Sequence, residues 1–358
     1  MKCIFLLSGE NVKFALAEVK AMFNVKNFKL DGRVLVGEID DFDAKKAKEL
    51  AYTHRIGEYL FDANSNNVID KIKKFDFQNI YKKNFVARII NTGNTESKFT
   101  EKQLGSIIWR NLEENKVKPI VKLENSNTQI EFIFADKKVF CGRLILKLVH
   151  DFEQRKAHKR KVLHPSSLHP KLARGMVNLL GANRCSKSDN KKNCDDKKEV
   201  IICDPFVGTG GILIEAGLLG YKIMGFDINK WMVKAVNENL KSYNIKNYEI
   251  MNADALEIKN YKNLTSNKIK IRLIEYIATD LPYSINTKEV DILKLYTSFF
   301  GLLRRIKIKR AVIGLPHFTN YKNINYRKLI ITNKLKIVDE FEFYIHINLR
   351  KKIFVVES

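Results

Sequence analysis

The sequence predicts an α/β protein whose C-terminal half is a doubly wound, mostly parallel sheet, with two smaller α/β units ahead of it. Three observations carry this. From residue 199 onward, short β-branched runs alternate with segments at helical spacing, the pattern of strand–helix–strand units. Four consecutive strand-like runs there finish at or beside an aspartate, namely Asp204, Asp227, Asp254 and Asp280, and ligands on such sheets sit at the carboxyl ends of the strands. Before residue 150 the alternation takes a different form, in two successive patterns.

The first pattern is βαββαβ. Lys2 to Leu7 reads as a strand, and Phe14, Ala15, Val19, Met22 and Phe23 form a helical stripe. Asp31 and Gly32 turn a hairpin between Phe28 to Leu30 and Val34 to Val36. Asp43 to Ala51 is expected as a helix capped by Asp43, and Ile56 to Phe61 as a strand. This order suggests a ferredoxin-like unit over residues 1–62. The second pattern has helices at Val68 to Phe75 and Thr100 to Leu112. Its strands fall at Phe85 to Ile90, Ile130 to Phe134 and Val139 to Leu148. It gives an α/β unit over 63–150 with exposed Lys and Arg.

Residues 151–163, DFEQRKAHKRKVL, form the densest basic run, expected as an interdomain linker. Such a linker either follows a phosphate backbone or is simply solvated. Pro170 suits a first helical turn, with Leu172, Met176, Leu179 and Leu180 as the apolar stripe. Residues 184–198 are polar and aperiodic, a loop ahead of the central strand. Beyond it, strands are expected at 200–203, 221–226, 248–251, 269–278 and 311–315, the last ended by Pro316. Helices fall at 212–219, 231–240 and 291–303, and 336–345 with 352–356 form an antiparallel edge hairpin.

Length and composition narrow the class. With 358 residues and 45% hydrophobic content, the chain can build two or three ordinary cores. No apolar run reaches membrane-spanning length, and the start MKCIFLLSGENVKF turns polar too early for a secretory signal. The net charge is +24, from 64 basic and 40 acidic side chains. That excess reflects either a polyanionic partner such as nucleic acid or a general lysine bias. The five cysteines are odd in number, and Cys185 and Cys194 fit no common zinc spacing. Reduced thiols in a cytoplasmic protein are the simplest account.

The chemistry starts at the central strand. Val200 to Cys203 runs into Asp204 and Pro205, then Gly208, Thr209, Gly210 and Gly211, then a helix. Glycines let the backbone pass under a bound group, and the helix start offers free N–H donors. A phosphate loop would need Gly-Lys-Ser/Thr, which Gly210, Gly211 and Ile212 do not supply. A dinucleotide fingerprint would need glycine or alanine where Leu213 stands. The order Asp-Pro-x-x-Gly-x-Gly resembles instead the first motif of S-adenosylmethionine (SAM) methyltransferases. Asp227 then suits both ribose hydroxyls of an adenosine. Asp254 either accepts from the adenine amine or caps the next turn, and Asp204 meets the positive end of the methionine.

The second motif is Asp280, Leu281, Pro282, Tyr283, which resembles the Asp/Asn-Pro-Pro-Tyr of enzymes that methylate exocyclic amines. An aromatic amine delocalises its lone pair and attacks poorly. Asp280 and the Leu281 carbonyl can accept its two N–H bonds and aim the lone pair at the methyl, binding the transition state more tightly as the nitrogen becomes positive. Asp280 is then placed to take the proton. Pro282 stiffens the turn and Tyr283 offers a stacking face. No metal is needed, because a sulfonium already leaves well.

With both motifs placed, the chain resembles the archaeal tRNA guanine-N2 methyltransferases that act on guanine 10. HPSSLHPKLARGMVNLL, DPFVGTGGILIEA, TDLPYS and HINLRKKIFVV are similar to family segments. The resemblance implies a ferredoxin-like region at 1–62, a THUMP RNA-binding domain at 63–150, the basic linker and a Rossmann-like methyltransferase domain at 164–358. It implies SAM as cofactor, tRNA as partner, base extrusion where the target is stacked, and a small activator protein as a further expected partner. Two departures stand out: Leu281 replaces the first proline of the commoner motif, and Ser284 stands where glycine is usual. The other readings are methylation of another exocyclic amine, such as adenine N6, and a non-catalytic RNA-binding protein.

Overall fold

Among the described residues, two seven-stranded sheets organise the chain. The computed structural model describes residues 1–93, 95–164, 167–182, 200–257, 274–282, 292–318 and 324–358. Tyr283, Ser284, Cys185, Cys194, the stretch 184–198 and the first part of the strand expected from Ile269 lie outside the described residues. The chain divides into two units, Met1–Val149 and His150–Ser358.

In the first unit, β1 (Lys2–Leu7), α1 (Val12–Met22), β2 (Val25–Asp31), β3 (Val34–Ile39), α2 (Ala44–Ala47) and β4 (Thr53–Ala63) follow the expected βαββαβ order. Their strands lie β2-β3-β1-β4 with antiparallel neighbours, the split arrangement of a ferredoxin-like unit. Asp43 does cap α2, its carboxylate accepting the Lys45 N–H at 2.8 Å. The helix stops at Ala47 rather than Ala51, because Leu50, Ala51 and Tyr52 turn into the core. There the buried Glu18 carboxylate accepts the backbone N–H groups of Ala51 and Tyr52, both at 2.8 Å, replacing the helical bonds.

The sheet does not end at residue 62. β4 also pairs with β7 (Val139–Lys147), which pairs with β6 (Thr128–Phe134) and so reaches β5 (Phe85–Asn91). The second pattern therefore continues the first sheet. Its helices α3 (Val68–Lys74) and α4 (Glu101–Glu114) cover a core that includes Phe77, Phe85, Leu104, Ile108 and Phe132. Thr100 and Gln103 close a capping box at the start of α4.

The second unit begins with two 3₁₀ turns inside the expected basic linker. Phe152 and Arg160 are buried there, while His158, Lys159 and Lys161 face solvent. After α5 (Pro170–Leu179), with Pro170 in its first turn, come β8 (Ile201–Asp204), α6 (Gly211–Leu218), β9 (Lys222–Asp227), α7 (Lys230–Ser242), β10 (Tyr248–Asn252), β11 (Ile274–Asp280), α8 (Ile292–Ile306), β12 (Arg310–Phe318), α9 (Tyr326–Thr332), β13 (Lys336–His346) and β14 (Leu349–Glu357). The order is β10-β9-β8-β11-β12-β14-β13, with the first five strands parallel. β13 and β14 form the expected antiparallel hairpin. The strand order reverses between β8 and β11, which makes that junction the switch point where a cleft opens.

Strand ends differ from expectation by a few residues, as where β2 starts at Val25, β4 at Thr53 and β14 at Leu349, and the end of β12 differs for a physical reason. Pro316 lies within β12 and does not end it. The Gly314 carbonyl faces β11 and accepts the Leu281 N–H at 3.0 Å, so Pro316, two residues on, points the same way. β11 stops pairing at Gly314, so no ladder bond is lost to the missing N–H.

Candidate active site

The switch point places the tips of β8 and β11 side by side, flanked by β9 and β10. A cleft of about 760 Å³ opens there, and all four strand-tip carboxylates, Asp204, Asp227, Asp254 and Asp280, line it. Gly208, Thr209, Leu281 and Pro282 line it as well. Gly210 does not. It has φ +88°, it opens α6, and a Cβ added to it would stand 2.6 Å from Val236 Cγ2. It serves the turn and the packing of α7. Tyr283 lies outside the described residues.

Asp204 is the most buried of the four, only 2% exposed. Its Oδ1 accepts the Thr279 hydroxyl at 2.6 Å and the Phe206 N–H at 3.1 Å. Loss of solvent pushes its carboxyl up to about 7, the two donors oppose that, and the charges of Asp280 and Asp227 add to it. Asp227 ties the glycine turn to the loop after β9. Its Oδ2 accepts the Gly208 N–H at 3.0 Å and its Oδ1 the Asn229 N–H at 2.9 Å. Burial raises this carboxyl, against those two donors. Asp254 is exposed, and its carboxylate accepts the Leu256 N–H at 2.9 Å, so the capping bond exists on a residue that also lines the cleft.

The turn after β11 is held from three sides. The Leu281 N–H goes to Gly314, the Pro282 carbonyl accepts the Tyr296 hydroxyl at 2.9 Å, and the Leu281 side chain is fully buried. Asp280 meets Lys351 of β14, whose Nζ lies 2.6 Å from Oδ1 and 2.5 Å from Oδ2. The segment His164–Leu180 also bears on the site: the Ser167 and Thr209 hydroxyls are 2.8 Å apart, and His164 and Ser167 line the cleft.

Several contributors carry weak sequence signals. Thr279, Asn252 and Lys351 act across strands, where spacing along the chain is silent. Asn252 Nδ2 donates to the Asp227 and Ile228 carbonyls at 2.9 and 3.0 Å and shapes the loop that Asp227 begins. Ile228 lines the cleft at 75% exposure, an apolar side chain left in the open beside a strand-tip acid. The basic run is partly internal. Arg155 Nε donates to Glu215 Oε1 at 2.6 Å, and Arg174 Nη2 lies 2.8 Å from Oε2 of the same buried carboxylate on α6.

A doubly wound sheet with acids at its switch point and a glycine turn opening the next helix defines the class, a Rossmann-like methyltransferase domain. Residues 157–327 match the family model described as RMKL-like, methyltransferase domain. The chain is 31% identical over 165 residues to a probable tRNA (guanine(10)-N2)-dimethyltransferase of Methanothermococcus thermolithotrophicus, covering 45% of this chain and 91% of that one. It is 28% identical to the tRNA (guanine(10)-N2)-dimethyltransferase of Methanothermobacter thermautotrophicus, across 100% of this chain and 99% of the relative. Among solved structures, TrmN from Thermus thermophilus aligns over all of both chains at 13% identity with a TM-score of 0.48. The chain belongs to the tRNA (guanine(10)-N2)-dimethyltransferase family.

Proposed function

We propose that this protein transfers methyl groups from SAM to the exocyclic N2 amine of guanine 10 in tRNA. The observation that carries the site assignment is the meeting of four strand-tip carboxylates on one cleft. The residues fit the cofactor. A cleft whose charged wall is largely carboxylate suits a ligand bearing a sulfonium and an ammonium. Gly208 lines that cleft at φ +51°, and a Cβ added to it would meet nothing within 4 Å, so the space beside its backbone is open to a ligand.

When bound, SAM would supply an electrophilic methyl on a sulfonium, whose sulfur leaves as a neutral thioether. The chain supplies the rest. Asp227 would hold the ribose hydroxyls and Asp254 the adenine amine, with the exposed Ile228 beside them on the cleft wall. Asp204 would offset the cationic end of the methionine, with Gly208, Thr209 and the turn that Gly210 closes alongside. Asp280 and the Leu281 carbonyl would accept the two N–H bonds of the guanine amine and orient its lone pair, and Asp280 would take the proton that the methylated nitrogen sheds. Nitrogen gains positive charge as it attacks, so the carboxylate is worth more in the transition state than in the ground state. Pro282 stiffens this turn and Tyr283 stacks on the base. Residues 63–150 act as the THUMP-type RNA-binding region beside the ferredoxin-like 1–62. The partners are tRNA and a small activator protein, with the cytoplasm as the place of action.

The test is methyl transfer from labelled SAM to unmodified tRNA, with the product nucleoside mapped. N2-methyl- or N2,N2-dimethylguanosine at position 10 is expected, and N6-methyladenosine in its place would sink the substrate assignment. Asp280→Ala should lower kcat by about 10²–10³-fold, the scale for removing one transition-state partner, while SAM binding stays near normal.

A further inference from the structure

Lys351 reaches Asp280 from two strands away. β12 lies between β11 and β14, yet the lysine ammonium contacts both Asp280 oxygens at 2.6 and 2.5 Å. The gap that allows this is Gly314, the register partner of Asp280 on β12. A Cβ added at Gly314 would stand 2.5 Å from Asp280 Oδ1 and 3.5 Å from Lys351 Cδ, so any side chain there would push the carboxylate aside. Lys351 is 2% exposed and is absent from the cleft wall that Asp280 helps form.

Fold stability is a poor reason for this arrangement. Stripping water from an ammonium is costly, and replacing a buried ion pair with well-packed apolar groups is often neutral or stabilising. The neighbouring inward positions of β14, Ile353 and Val355, are apolar. A buried cation here does something an apolar residue cannot: it fixes the direction of a carboxylate and offsets its charge. Asp204 on β8 and Tyr296 on α8 both feel the Asp280 charge.

We infer that Lys351 is a positioning residue for methyl transfer, gripping the Asp280 carboxylate through the gap at Gly314 so that it faces the amine in one orientation. This rests on the acceptor role proposed for Asp280. Buried and off the cleft wall, Lys351 acts through that carboxylate, which joins the C-terminal hairpin to the chemistry.

A double-mutant cycle on the full-length protein tests it, using Asp280→Asn, Lys351→Met and the pair together. kcat and the KM values for SAM and tRNA are measured for each, with thermal melting as the check on folding. Lys351→Met should lower kcat by about 10–100-fold, the scale seen when a group that orients a metal ligand from behind is lost, with both KM values within about threefold of wild type. In the Asp280→Asn background the same change should lower kcat by less than about threefold, because its target is already gone. Gly314→Ala, which keeps both charges, should lower kcat as Lys351→Met does. Lys351→Met with wild-type kcat, or an equal loss with and without Asp280, overturns the inference. If Lys351→Met alone does not fold, the comparison of Asp280→Asn with the double variant decides: a further loss overturns the inference and none supports it. Near-normal turnover of Asp280→Asn would instead overturn the acceptor role itself.

Discussion

Asp204 shows how one buried carboxyl ties the fold to ligand binding. Its ordinary value is about 3.9, and burial pushes it up to about 7 in the folded chain. Between those values the folded state holds a proton that the unfolded state releases. Stability is therefore fully present below about pH 4 and is lost as pH rises through 7. Asp227, also raised, has the same sign. Melting temperature without ligand should fall from pH 5 to pH 8, and Asp204→Asn should flatten that fall without abolishing it. A cationic ligand reverses the preference by favouring the ionised form. SAM affinity measured by calorimetry should rise with pH by up to about tenfold per unit below 7, and Asp204→Asn should lose most of this rise. Affinity independent of pH in the wild type would remove Asp204 from the cofactor site. The residue types at the strand tips were legible because an acid after a β-branched run stands out. The donor from Thr279 was not, since 75 positions along the chain separate it from Asp204.

At the scale of elements, a strong apolar period marks where strands and helices lie, while their ends depend on partners elsewhere in the fold. α2 stops early because Glu18, far back on α1, takes over its N–H groups. β12 runs on because Pro316 points past the end of β11. In both cases the deciding partner lies on another element, which a one-dimensional pattern cannot show. The basic run 151–163 teaches the same lesson with a testable consequence. Arg155 and Arg174 both turn inward to Glu215, whose side chain is 1% exposed. That carboxylate pins the segment before α5, and α5 itself, onto α6, directly behind the glycine turn. Removing one member of a buried ionic cluster leaves uncompensated charge and costs about 3–5 kcal/mol. Glu215→Gln should therefore lower the free energy of unfolding by about that amount in urea titration. Loss of less than about 1 kcal/mol would mean that the two arginines find other partners and that the cluster does not hold these elements together.

For the whole molecule, net charge is the property that the sequence states outright. The excess of +24 admits two readings, a polyanionic partner or a lysine-rich composition, and in its densest run Arg155 and Arg160 turn inward. The two readings part on salt dependence. If tRNA is held through its phosphates, binding releases condensed counterions, and each phosphate neutralised adds nearly one to the slope of log affinity against log salt for a duplex. With about six such contacts, affinity for unmodified tRNA should fall about a thousandfold between 50 and 200 mM monovalent salt. SAM binding, a small-ligand event inside a cleft, should change by less than about threefold over the same range. A shallow tRNA slope, of one or less, would mean that the surplus lysines do not meet the nucleic acid and that recognition rests on the cleft and on non-ionic contacts. A steep slope would make the basic surface a working part of substrate capture, and single Lys→Gln changes on it would then each remove close to one unit of slope, which maps the surface residue by residue.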